Sequence, residues 1–170
     1  MWYGIWRFNG MKLSKNKMLK TFITTLFVLF LTNVNAQDLK EADVAKLIDS
    51  KHFIFKPQTV MPLRGGTRQV TSEFDLKILG DSVVSYLPYF GRAFAAPYGS
   101  TEGGLKFTST SFEYKVIKKN DRWDIHIVPK DTRDVRQLFL TISKTGFTNL
   151  QVINTNRDGI SYSGYIEEIK

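Results

Sequence analysis

Beyond residue 68 the chain repeats one pattern: short runs in which apolar and polar residues alternate, separated by links of a few turn-forming residues. Alternation with period two puts one set of side chains on each face of a pleated strand. Val70, Ser72, Phe74, Leu76 and Ile78 alternate with Gln69, Thr71, Glu73, Asp75 and Lys77. Gly80-Asp81 separates this run from Ser82 to Leu87, a link short enough to close a tight hairpin. Phe112, Tyr114 and Val116 alternate with Ser111, Glu113 and Lys115. After a turn at Asn120-Asp121, Trp123, Ile125 and Ile127 alternate with Asp124, His126 and Val128. Runs over 135–143, 147–154 and 160–169 are divided by Lys144-Thr145-Gly146 and by Asn156-Arg157-Asp158-Gly159.

Seven or eight strands in hairpin order, with no helical pattern between them to carry a parallel crossover, predict an antiparallel meander. A meander with two free edges exposes unpaired backbone, so it tends to close into a barrel or curl around a helix. The one helical pattern comes first. Asp38 and Glu41 have the spacing of a capping box, and Leu39, Ala42, Ala45, Leu47 and Ile48 recur on about one face up to Ser50. The expected fold is therefore mainly β: an antiparallel meander curled into a barrel-like sheet, with one N-terminal amphipathic helix over an opening or a face.

Ahead of the helix stands a different kind of segment. From Met11 the chain carries Lys12, Lys15, Lys17 and Lys20 without an acid, then an apolar run from Phe22 to Leu31, then Val34-Asn35-Ala36. A basic stretch, a short apolar stretch and a small-residue site describe a secretory signal peptide. A membrane span needs roughly 20 consecutive apolar residues, more than this run supplies. The expected boundaries are a signal peptide over 1–36, cleaved near Ala36/Gln37, and a single β-rich domain over 37–170 in the periplasm or secreted, with no transmembrane anchor after cleavage. Residues 1–10 read as lying upstream of the true start, since Met11 opens a more ordinary signal.

The signal also changes what the charge implies. The whole chain has 24 basic and 16 acidic residues, net +8, but five of the bases lie in residues 1–36. The remainder has 19 against 16, and its charges are interleaved, as in Lys118-Lys119-Asn120-Asp121-Arg122. A nucleic-acid binder concentrates its bases in a patch or stripe, so no nucleic-acid partner is expected. There is no cysteine. An exported domain without disulfides or thiolate metal sites must be held by packing alone.

No catalytic signature emerges. Gly99-Ser100-Thr101-Glu102-Gly103-Gly104 lacks the lysine and the strand-to-helix setting of a phosphate loop, and there is no Gly-x-Ser-x-Gly elbow. His52 and His126 have no second ligand at metal-motif spacing, and His126 reads as a solvated face residue beside Asp124 and Arg122. No metal, cofactor or catalytic residue is assigned. The most unusual stretch is Leu87 to Phe107, with four glycines, two prolines and the aromatics Tyr89, Phe90, Phe94 and Tyr98. Long irregular connections in small domains are often binding loops, although glycines there also serve bends where a barrel closes. The candidate ligand- or partner-binding residues are Tyr89 and Tyr98 as stacking faces, Arg92 and Glu102 as charges, and Arg157 in the last turn.

Two of these stretches carry a resemblance. Gly80 to Ala93, with Ala96-Pro97-Tyr98-Gly99 and Glu102 to Phe107, resembles the bacterial domain-of-unknown-function family 4251. Asn156 to Ile166 matches that family's closing pattern. The resemblance covers the chain from about Lys40 onward and implies a small exported protein of Gram-negative bacteria. It supplies no catalytic residues. The function expected is a non-enzymatic binding or interaction domain of the envelope whose partner is a small ligand, which a small barrel can hold in its interior, or an envelope protein. The alternative is a hydrolase acting on envelope or extracellular polymers, with Asp81, Arg92, Tyr98 and Glu102 gathered in one cleft.

Overall fold

A computed structural model describes residues 39–71, 73–94 and 104–169. The signal-peptide reading, Tyr98 and Glu102 lie outside the described residues. Helix α1 (Glu41–Ser50) precedes ten strands: β1 (His52–Pro62), β2 (Arg68–Gln69), β3 (Asp75–Leu79), β4 (Val83–Pro88), β5 (Gly104–Ser109), β6 (Phe112–Lys118), β7 (Arg122–Pro129), β8 (Val135–Ser143), β9 (Phe147–Asn154) and β10 (Ile160–Glu167). Among the described residues, no helix is long and apolar enough to cross a membrane.

The strands form one sheet in the order β5-β4-β3-β1-β10-β9-β8-β7-β6, with the short β2 paired to β1. The expected meander is thus two meanders, β3–β5 and β6–β10, on either side of β1. That strand pairs with β3 through Phe53↔Ile78 and with β10 through Phe55↔Ile166. The alternation had not marked β1 as a strand, because Pro57 interrupts it and its apolar phase changes partway. Its register against β10 slips between Pro57 and Thr59, so Phe53 and Phe55 before the bulge and Val60 after it are all buried. A bulge is one of the few places where a proline fits inside a sheet.

Strand parity explains how the sheet closes. Nine strands lie along the path and every neighbouring pair is antiparallel, so β5 and β6, at its two ends, run the same way. Only Thr110 and Ser111 separate them. A two-residue link can close an antiparallel hairpin, but it cannot carry the crossover that two neighbouring strands running the same way would need. β5 and β6 are therefore two halves of one bent strand, the first paired to β4 and the second to β7. The result is a nearly closed barrel-shaped sheet whose seam lies at this bend.

Asp131, on the loop after β7, pins the bend. Its carboxylate accepts hydrogen bonds from the Ser109 hydroxyl, the Thr110 N–H at 2.8 Å and the Ser111 N–H at 3.2 Å, while Lys130 N–H donates to the Ser111 carbonyl at 2.7 Å. The Ser109 and Thr110 donors lower the Asp131 pKa from its ordinary 3.8 to about 2. A carboxyl whose folded pKa is depressed stabilises the fold above its unfolded value and loses that contribution as pH falls through the folded one. Acid titration followed by circular dichroism should show a loss of stability between about pH 4 and pH 2 that Asp131→Asn largely removes, the variant being less stable than wild type at pH 7.

The interior carries a dense set of buried side chains. Phe53, Phe55, Leu76, Ile78, Leu87, Ile125, Ile127, Leu138, Leu140, Ile142 and Tyr162 are all fully buried there. Burying each such group contributes about 1.5–3 kcal/mol. Val83 and Leu87 on β4, Trp123, Ile125 and Ile127 on β7, and Leu150 and Val152 on β9 follow the inward phase of their strands. The expected reading of α1 needs two corrections. The helix begins after Lys40, which caps it without a side-chain hydrogen bond, and the expected cap Asp38 lies outside the described residues. Its buried face is Val44, Leu47 and Ile48, whereas Ala42 is exposed. Lys51, in the left-handed region at φ 52°, ends the helix and turns the chain into β1. Tyr114 on β6 reaches the Ile48 carbonyl at 3.4 Å and Glu41 pairs with Lys144, so the helix spans from β6 to the β8–β9 turn.

Candidate functional site

The segment after β4 and the turn between β9 and β10 meet edge to edge. Ala93 pairs with Arg157 as an antiparallel bridge, with Phe94 N–H donating to the Asn156 carbonyl at 2.9 Å and Asp158 N–H to the Arg92 carbonyl at 3.0 Å. The two stretches that stood out in the sequence are thus one structural unit. Of the five candidate residues, Tyr89, Arg92 and Arg157 come together here.

Tyr89 organises the unit. Its hydroxyl lies 3.0 Å from both the Arg92 and the Asp158 carbonyl oxygens. Burial, reinforced by the nearby Asp158 charge and opposed by Arg157, raises its pKa. Gly91 makes this possible, because a Cβ there would run into the Tyr89 hydroxyl. The Arg157 guanidinium sits 5.3 Å from the Tyr89 ring centre and donates to the Gly104 carbonyl at 3.2 Å, fastening the turn to β5. Arg92 takes part through its backbone, and its side chain is exposed. Beneath them Tyr162, fully buried on β10, donates to the Pro88 carbonyl at 2.7 Å, and burial pushes its pKa far up. Asn154 donates to the Asp158 carbonyl at 2.9 Å. Among the described residues the buried Asn154 Oδ1 and Asp158 Oδ2 atoms have no hydrogen-bond partner.

On the outer side of this unit runs an open groove of ≈ 440 Å³ lined by Phe74, Tyr86, Pro88, Tyr89, Phe90, Gly104 and Lys106. That volume lies within the range of about 300–1,000 Å³ usual for small-ligand sites. Phe74 and Tyr86 pack with ring centres 5.1 Å apart. Tyr86 and Phe90 remain 45% and 43% exposed, values that mark them as available to a ligand rather than as core. Cations lie over the rings: Arg68 4.7 Å from the centre of Phe90 and Lys106 5.6 Å from that of Tyr86. On the other flank of β5 a smaller crevice of ≈ 190 Å³ is lined by Leu105, Phe107, Asp134, Val135 and again Arg157.

Sequence reasoning missed Tyr86, Phe74, Arg68 and Lys106. Tyr86 was legible in principle, since Val83, Ser85 and Leu87 set the inward phase of β4 and leave an aromatic outward. The alternation puts Phe74 on the same face as Leu76 and Ile78, whereas β3 begins only at Asp75 and Phe74 lies ahead of it. His126 also differs from expectation. It stacks on Phe139 at 4.3 Å and 6°, half-buried, in a second groove of ≈ 460 Å³ across β6–β9 that includes Ile117, Arg122 and Gln151. Among the described residues no group of three or more His, Asp or Glu is placed to hold a metal ion.

The chain's relatives are consistent with this architecture and leave the chemistry open. The family model described as Domain of unknown function (DUF4251) matches residues 35–166. The crystal structure of a DUF4251 family protein from Bacteroides eggerthii DSM 20697 is similar with a TM-score of 0.58 and 16% identity, over 78% of this chain and 90% of that one. At that identity the similarity speaks to the fold alone. No curated protein matches the chain.

Proposed function

This chain belongs to the DUF4251 family, and from that premise we propose that it is an exported envelope domain that binds a ligand or partner in its outer aromatic groove. The observation that carries this reading is the groove of Phe74, Tyr86, Tyr89 and Phe90 on the outside of a barrel whose interior is occupied by side chains. Exposed aromatics gathered in a concavity supply contact area at little entropic cost, the hallmark of a recognition surface. Rigidity comes from beneath, through the Tyr89 and Tyr162 hydrogen bonds to the backbone. The hydrolase reading finds less support. Asp81, in the turn before β4, and Arg92, beyond the end of β4, are separated by the length of that strand, six residues or about 20 Å.

Two measurements test the proposal. Protein recovered from cells that make it should begin at Gln37; a cytoplasmic protein with an intact N-terminus would contradict export. Tyr86→Ala combined with Phe90→Ala should keep the barrel folded, because both side chains point outward, yet lower affinity for envelope or extracellular material about tenfold or more. Undiminished binding by that folded variant would move the site elsewhere.

A further inference from the structure

The crevice on the other flank of β5 differs from the aromatic groove in size and in charge. Its volume of ≈ 190 Å³ lies below the about 300–1,000 Å³ usual for small-ligand sites, so it suits a molecule of few atoms. Leu105 and Val135, both buried, give it an apolar side, with Phe107 half-buried beside them. Two half-buried opposite charges line the same space: Asp134 from the loop before β8 and Arg157 from the turn before β10. No ion pair joins them, and among the described residues neither is paired with another charged group. Both are held in place from behind. The Asp134 carbonyl accepts a hydrogen bond from Thr155 N–H at 2.9 Å. The Arg157 guanidinium is fixed by the Gly104 carbonyl and the Tyr89 ring, which uses one of its five N–H donors. Lys106 also borders the crevice, but its ammonium lies over the Tyr86 ring in the groove.

We propose that this crevice is a second binding site, for a small zwitterion of the α-amino-acid type. Its carboxylate meets Arg157, its ammonium meets Asp134, and its side chain lies against Phe107 and Val135. An acid and a base that share a crevice without touching have given up part of their hydration and gained no direct pairing in return. A molecule that carries both charges a few bonds apart supplies the missing partner to each, through charge-assisted hydrogen bonds at both ends. The planar guanidinium fork matches a carboxylate, and the Tyr89 ring sets its orientation beforehand. Ligands with a single charge fit less well. An anion that gains Arg157 is repelled by Asp134, and a cation that gains Asp134 is repelled by Arg157. A metal ion such as calcium takes about 6–8 oxygen ligands, whereas Asp134 is the one carboxylate among the residues lining the crevice. A sugar chain or an internal peptide segment exceeds the volume, and the peptide segment lacks the paired charges.

The test uses isotope-labelled protein from a host expressing the full-length chain, titrated with a panel of free amino acids. Each is paired with its decarboxylated amine and its N-acetyl derivative. At least one amino acid should give saturable amide shifts at Leu105, Phe107, Asp134, Val135 and Arg157. Loss of either charge from that ligand should weaken binding about tenfold or more. Asp134→Asn should weaken the intact amino acid to a similar degree. It is a cleaner probe than Arg157, because the Asp134 backbone carbonyl, and not its carboxylate, holds the Thr155 turn, whereas the Arg157 side chain ties that turn to β5. If Asp134→Asn does not fold, the comparison of the three ligand forms on the wild-type protein decides alone. Equal binding of the amine or of the N-acetyl derivative would overturn the zwitterion assignment. Shifts gathered away from the crevice, or no saturable shift with any amino acid, would overturn the site. Neither result bears on the aromatic groove, which the Tyr86→Ala/Phe90→Ala variant judges separately.

Discussion

An alanine in place of Gly164 should lower the unfolding free energy by more than about 3 kcal/mol, beyond the usual cost of overpacking a core. Gly164 is buried on β10, opposite Pro57 on β1 and Thr148 on β9. A Cβ there would collide with the Lys56 carbonyl and come within 2.9 Å of the Pro57 Cα. Both obstacles are backbone, so no rotamer change relieves them. They sit at the bulge that lets β1 change phase, and moving β1 disturbs its pairing with both β10 and β3. Urea denaturation monitored by tryptophan fluorescence measures the loss. A variant within about 1 kcal/mol of wild type would show that the bulge can shift along β1.

The second large effect is at Tyr162. Tyr162→Ala removes one of the largest fully buried side chains and should cost about 3–5 kcal/mol, as aromatic-to-alanine changes in cores do. Tyr162→Phe separates the hydroxyl from the ring. It leaves the Pro88 carbonyl without its 2.7 Å donor, for which about 1–3 kcal/mol is expected. Pro88 lines the groove and Tyr89 follows it, so the phenylalanine variant should also weaken ligand binding without touching the ligand. Unchanged affinity in a destabilised Tyr162→Phe protein would show that the groove does not depend on this support from the core.

What could be read in advance, and what could not, follows from how far local pattern determines structure. β7 to β10 alternate cleanly because each buries one face and exposes the other, so Trp123, Ile125, Ile127, Leu138, Leu150 and Tyr162 were recoverable from period alone. β1 was illegible because its bulge breaks the period at Pro57, although the fold cannot close without it. β5 was hidden at the end of the glycine-rich stretch, since Gly104 to Ser109 is short and its neighbour β6 is in space a continuation of it. Tyr89, Arg92 and Arg157 were chosen separately, from a loop and a turn more than 60 residues apart. Their meeting depends on the Ala93–Arg157 bridge, a long-range contact that no local pattern encodes. Arg68 is a further case: only the pairing of β2 with β1 places it on Phe90.

The central claim is that recognition happens on the outer aromatic groove. Amide chemical-shift mapping of the isotope-labelled protein, titrated with the envelope or extracellular fraction that it binds, tests it most directly. The expected result is a set of saturable shifts at Arg68, Phe74, Tyr86, Phe90, Gly104 and Lys106, with the β6–β9 face unperturbed. Shifts gathered instead around His126, Phe139 and Gln151 would contradict the account and place the site in the second groove.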